Sequence, residues 1–153
     1  LSIEEDKIEP FKKAINEIGD RFLTPEDLIP EINIDAHINF DEITLAQVKK
    51  IQIMEPFGAE NPAPVFLSRK VTLRDVQYIG KDGSHVRFKA HQGSARREGI
   101  AFNFRDAFQY LDTKDNLMDL VYEVEINRWN GNEKVQLKLL DMVPSSQDDE
   151  NDL

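Results

Sequence analysis

The 153-residue sequence has no cysteine, which excludes disulfides, thiolate metal sites and thiol nucleophiles. It also leans towards a reducing compartment, so a cytoplasmic location is expected. No apolar run approaches the ~18 residues that a membrane helix needs, and no basic-then-apolar leader is visible, so no membrane partner is expected. Histidine is scarce, with only His37, His85 and His91. Two-metal hydrolysis needs clustered carboxylates and usually histidine. His85 and His91 are six residues apart on one expected strand and are not firmly placed on a shared metal. The acidic run Asp148, Asp149, Glu150 and Asp152 reads as a solvated tail. No P-loop, nucleophile elbow or glycine-rich fingerprint is present. The chain opens on Leu1 and runs straight into "SIEEDKIEPF", which suggests a part excised from something longer.

Basic residues are outnumbered, 19 against 29 acidic, for a net charge of -10. That average argues against nucleic acid, but the distribution does not. Residues 1–55 carry 6 basic and 13 acidic residues, whereas residues 69–105 carry 9 basic and 3 acidic. An acidic first third and an acidic tail therefore flank a locally basic middle, and local patches set the field a ligand meets.

Apolar residues at Ile8, Phe11, Ile15, Ile18 and Phe22 predict a helix over 2–22, opened by a Ser2/Glu5 capping box. Thr24-Pro25-Glu26-Asp27 begins a single turn that Pro30 ends. "EINIDAHINF" alternates with period two, as a strand does. Thr44 to Met54 is helical again. "MEPFGAENPAPVF" holds three of the seven prolines and reads as a rigid joint over 56–64. Strands follow in "VFLSRKVTLRDVQYI", "HVRFKAHQ" and "EGIAFNF". A short helix over 106–111 separates them from "LMDLVYEVEINRW" and "KVQLKLLDMV", which an Asn130-Gly131 turn connects. The expected architecture is α+β: an N-terminal helical segment (1–55), the joint (56–64), a five-stranded OB-fold barrel (65–143) with a helix between strands 3 and 4, and a disordered acidic tail (144–153). OB barrels bind oligonucleotides or oligosaccharides on strands 2 and 3 and on two loops, here Gly80–Ser84 and Trp129–Glu133.

"EPFGAENPAPVF" resembles the PFG-x-x-NP-x-P-x-F signature of the RecJ family of bacterial single-stranded-DNA-specific exonucleases. "LSIEEDKIEPFKKAI" is similar to the helix after the GGH motif of that family's DHHA1 domain, "INIDAHI" to a short segment of the family, and "EINRWNGNEKVQLKLLDM" to its closing hairpin. Together these cover about residues 1–143. The resemblance implies a non-catalytic C-terminal region: the end of DHHA1 (1–55), a joint and the OB domain. It implies that the Asp/His motifs holding two Mn²⁺ or Mg²⁺ ions lie upstream, so this region holds no cofactor and should not cut DNA by itself. The implied role is binding single-stranded DNA for a 5′→3′ exonuclease in DNA repair and recombination. The implied partners are single-stranded DNA and the upstream DHH/DHHA1 domains, with single-strand-binding protein or a helicase as further candidates. A scaffold or protein-docking role for the barrel is the alternative.

The candidate phosphate contacts are Arg69, Lys70, Arg74, Arg87, Lys89, Arg96 and Arg97. Alternating charge on a half-buried strand can equally be a plain solvated face. Tyr78, Phe88, Phe102 and Phe104 read as core. Trp129, beside the last turn, is the candidate stacking ring, and a plug in the barrel end is the competing reading.

Overall fold

The computed structural model describes residues 2–110 and 117–146, which fall into two compact units divided between Asn33 and Ile34. In the first, a 3-10 turn at Glu5–Lys7 leads into α1 (Ile8–Phe22). The Ser2/Glu5 capping box does not form: Glu4 precedes the turn without a side-chain cap. The predicted apolar stripe does form, and its members are between 36% and 78% exposed. Thr24 N and Oγ1 both donate to Asp27 Oδ2, closing a 3-10 turn at Glu26–Leu28 as the local sequence predicts.

The second unit is built on β1 (Ala36–His37), β2 (Phe66–Ile79), β3 (His85–Gln92), β4 (Ala95–Ala101), β5 (Met118–Trp129) and β6 (Asn132–Pro144). The period-two run around Ile34 is a strand over only two residues, paired parallel with Phe66 and Leu67. After Ile38 the backbone turns, with Asn39 N donating to Glu42 Oε2, and Phe40 drops into the core.

β2 is long because, besides β1, it serves two neighbours in the barrel. Its first half pairs with β5 and its second with β3, with register shifts between Ser68 and Val71 and between Arg74 and Gln77. Positive φ at Lys70 (57°) and Asp75 (50°) marks these bends. β3 pairs with β4, β4 runs parallel to β6, and β6 returns antiparallel to β5, so the five strands close a barrel. Asn130 (φ 49°) and Gly131 (φ 76°) form the two-residue turn that Asn-Gly predicts.

Alternation along these strands turns Val71, Val86, Phe88, Ala90, Met118, Leu120, Tyr122 and Leu137 inwards, all buried. The Phe88 ring lies on Gly99, its cross-strand partner. Within the core, Ser68 Oγ donates to Ile38 O (2.6 Å) and lies 2.6 Å from Tyr122 Oη, which satisfies both hydroxyls. Burial pushes the Tyr122 phenol up to about 12, so it stays neutral.

Within the helical stretch expected from Thr44 to Met54, Thr44 and Gln47 form a capping box that opens α2 (Leu45–Ile51). Val48 of α2 is buried, and the helix packs on β5 and β6. Residues 34–55, placed by the sequence with the N-terminal segment, thus share a compact unit with the barrel. The proline segment is tied down by Asn61, whose side chain donates to Met54 O (2.8 Å) and Pro56 O (3.1 Å) while its backbone pairs with Gly58. The short helix α3 (Arg105–Tyr110) follows β4 and sets Phe108 against Phe88, ring centroids 5.5 Å apart. β6 runs on to Pro144, and Ser145 N donates to Leu117 O, so the strand outlasts the predicted boundary by one residue. Residues 147–153, where the rest of the acidic tail was expected, lie outside the described residues. No helix among the described residues is long and apolar enough to cross a membrane.

Candidate nucleic-acid interface

On β3 the buried residues Val86, Phe88 and Ala90 leave His85, Arg87, Lys89 and His91 on the outer face of the barrel. Register places Arg74 of β2 and Glu98 of β4 on either side of Lys89, and Arg96 of β4 beside His91. The parallel β4–β6 pairing then sets Gln136 next to Glu98. Two abutting depressions cross this face and share Glu98 and Lys134. One, of about 480 Å³, is lined by Ile43, Leu45, Lys89, Arg96, Arg97 and Lys134 among others. The other, of about 440 Å³, is lined by Arg87, Asn127, Trp129, Asn132, Lys134 and Gln136 with Glu98. They form one groove running diagonally from β3 across β4 and β6 to the β5–β6 hairpin.

Of the sequence candidates, Arg87, Lys89, Arg96, Arg97 and Trp129 line this groove, and Arg74 stands beside Lys89. Arg69 and Lys70 line neither depression. They sit on the first bend of β2, where the Arg69 carbonyl accepts from Gln92 Nε2 (2.8 Å) and Lys70 N donates to Asp119 Oδ1 (3.0 Å). Trp129 is 75% exposed, so its ring is not buried in the barrel end. Lys134, Asn127 and Gln136 were missed. The alternation of Asn132, Lys134, Gln136 and Lys138 was the available signal, but only the parallel β4–β6 pairing carries it to this face.

The charges are not equivalent. Lys89 Nζ bonds Asp75 Oδ2 at 2.6 Å, which raises the lysine and lowers the carboxyl, hydrogen bond first and charge second. Lys134 pairs with Glu98 at 3.1 Å. Both pairs are solvent-exposed, so they hold their cations weakly and a phosphate can take them over. Arg74, Arg87 and Arg96 have no carboxylate partner among the described residues. Arg97 is committed to the fold: its Nη2 donates to Phe40 O and Ile43 O, which ties the loop after β1 to β4. Burial lowers its pKa from the ordinary arginine value.

His91 sits among these cations. Burial first, then the charges of Arg96 and Arg74, hold its imidazole below the ordinary 6.5, with Asp75 opposing. The unfolded chain therefore takes up this proton before the folded one does as pH falls. The neutral form contributes stability that is fully present above 6.5 and is lost as pH drops through the depressed folded value. Urea midpoints measured from about pH 7.5 to about pH 5.5 should fall for the parent chain and fall less steeply for His91→Gln.

Among the described residues, no group of three or more His, Cys, Asp or Glu could hold a metal ion.

Closure through the parallel β4–β6 pairing, with α3 inserted between the third and fourth barrel strands, makes the second unit an OB-type barrel. The sequence matches the RecJ OB domain family over residues 34–141, and the chain belongs to that family. It is 29% identical over 145 residues to the single-stranded-DNA-specific exonuclease RecJ of Bacillus subtilis strain 168, covering 95% of this chain and 18% of that protein. It is 27% identical over 144 residues to the protein of that name from Escherichia coli strain K12, covering 94% of this chain and 25% of the relative. The chain thus spans a quarter or less of the length of these relatives. The crystal structure of RecJ from Thermus thermophilus in complex with Mn²⁺ superposes with a TM-score of 0.67 at 18% identity, over 95% of this chain and 20% of that one, a likeness of fold.

Proposed function

We propose that this region binds single-stranded DNA along the groove between Arg87 and Trp129, as the non-catalytic part of a RecJ-type 5′→3′ exonuclease that works in the cytoplasm in DNA repair and recombination. The observation that carries the reading is concentration of charge. In a chain of net charge -10, five of the 19 Lys and Arg residues (Arg87, Lys89, Arg96, Arg97 and Lys134) line one groove, and an exposed indole stands at its end. Cations spaced along a groove follow a phosphate backbone, and an aromatic face receives bases of any sequence. Under this reading the Mn²⁺ or Mg²⁺ centre that hydrolyses the strand belongs to the DHH and DHHA1 domains of the longer protein. The region contributes grip; the alternative is a scaffold that docks single-strand-binding protein or a helicase.

Fluorescence anisotropy of a labelled oligo-dT at low salt tests this directly. The strand should bind, and an unlabelled single strand should displace it more effectively than a blunt duplex of equal length. Displacement by an acidic peptide combined with indifference to single strands would turn the groove into a protein-docking surface instead.

A further inference from the structure

Beyond the Arg87 end of the groove stand two more rings. Phe102 follows β4, and it is 47% exposed instead of joining the core. Its ring meets His85 edge-on, with centroids 5.2 Å apart at 70°. We propose that Phe102, with His85 at its edge, is a seat for an unpaired nucleobase, so that the bound strand is held by a ring at each end of the groove. The proposal rests on the single-stranded-DNA reading above and adds a specific second base contact to it.

The pair stands next to the groove. His85 shares the outer face of β3 with Arg87, two residues away and roughly 7 Å along the strand. Arg87 lines the depression that also holds Trp129. Trp129 and Arg87 thus share one depression, and His85 with Phe102 neighbours Arg87, so the outer surface offers ring, cation and ring in turn. An extended single strand presents phosphates and bases in such alternation.

His85, the edge partner, is also held in place. His85 Nδ1 accepts from Asn103 N at 3.1 Å and lies 3.3 Å from Ser84 Oγ. A backbone N–H can only donate, so Nδ1 is the acceptor and the neutral ring carries its proton on Nε2. Gly80 abuts the ring, where a Cβ would lie 3.4 Å from His85 Cδ2, and its φ of +93° is what calls for glycine. The Gly80–Ser84 loop is itself stapled to α3. Arg105 Nη1 donates to Asp82 O (2.8 Å), Arg105 N donates to Ser84 O (3.3 Å), and the guanidinium lies 5.6 Å from the Tyr78 ring centre. An edge partner held this way loses little freedom when a base arrives, and preorganisation of that kind favours a stacking contact. A solitary exposed phenylalanine is ordinary on a surface. One whose edge partner is locked in place, two residues along β3 from a groove arginine, has what a base seat requires.

The test compares labelled oligo-dT with an abasic deoxyribose-phosphate strand of the same length, using the whole 153-residue chain. The parent should prefer the strand with bases. Phe102→Leu should lose roughly tenfold in affinity for oligo-dT while its affinity for the abasic strand is unchanged. Phe102→Tyr should retain the preference, and the thermal midpoint of each variant should match the parent, since the ring is half exposed. Equal oligo-dT affinity for Phe102→Leu and the parent would overturn the seat and leave the groove standing. Absence of binding to either strand by the parent would overturn the groove, and the seat with it.

Discussion

Replacing Arg87 and Arg96 together by glutamine is expected to weaken oligo-dT binding by roughly 10- to 100-fold at ~50 mM salt and to leave the thermal midpoint where it was. Both side chains are exposed, neither has a carboxylate partner among the described residues, and neither braces another segment. Their charges are therefore available to phosphates, and their removal subtracts contacts without disturbing the barrel. Arg97 sits in the same groove but gives a different result. Its guanidinium holds the Phe40 and Ile43 carbonyls, so Arg97→Gln exposes buried acceptors and destabilises the unit, by about 1–3 kcal/mol. A charge-reversal set that includes Arg97 would confound lost binding with lost folding. Glutamine at positions 87 and 96 keeps the two apart. Anisotropy titrations alongside thermal melts check both halves of this expectation.

The largest effect on stability is expected at Gly99. A Cβ there would lie under 3.0 Å from three ring carbons of Phe88. Phe88 is fully buried, pairs with Gly99 across β3 and β4, and packs on Phe108. Gly99→Val forces the ring or a strand to move, at the upper end of the ~1–3 kcal/mol typical of overpacking, or beyond it. For a unit of this size that corresponds to a fall in Tm of about 10 °C or more. Gly58 is the contrast. A Cβ there would meet nothing within 4 Å and its φ is not positive, so Gly58→Ala should stay within about 1 kcal/mol of the parent and is expected to be slightly stabilising. Combining Gly99→Val with Phe88→Leu should recover part of the loss, because the two positions share one volume. Urea denaturation of the parent, the two single variants and the double variant measures the coupling.

How much of this was legible in the sequence depends on the range of the interaction involved. Features set by near neighbours were readable. The Thr24–Asp27 turn, the Asn130-Gly131 turn and the alternation of Val86, Phe88 and Ala90 against Arg87 and Lys89 all stand in the structure as the residue types predict. Features set by distant pairing were not. The run around Ile34 has the alternation of a strand, yet β2 offers it only two partners before the chain turns inward at Phe40. The Val48 stripe of α2 shows that a helix buries one face, but not that this face meets β5 and β6. Lys134 entered the groove through the parallel pairing of β4 and β6, which leaves no mark in either strand alone. Phe102 reads as core because it ends an apolar alternation. Its exposure follows from its position just past the strand, where the chain leaves the barrel wall for α3.

Whether the groove follows the backbone of an unpaired strand is tested most directly by the salt dependence of oligo-dT binding. Each phosphate neutralised on a single strand contributes about -0.7 to the slope of log K against log salt. With four to five cations engaged, the parent should give a slope of about -3, and the Arg87→Gln/Arg96→Gln chain a slope flatter by about 1.4. No binding at low salt, or a slope that the double replacement leaves unchanged, would mean that these cations do not track a phosphate backbone.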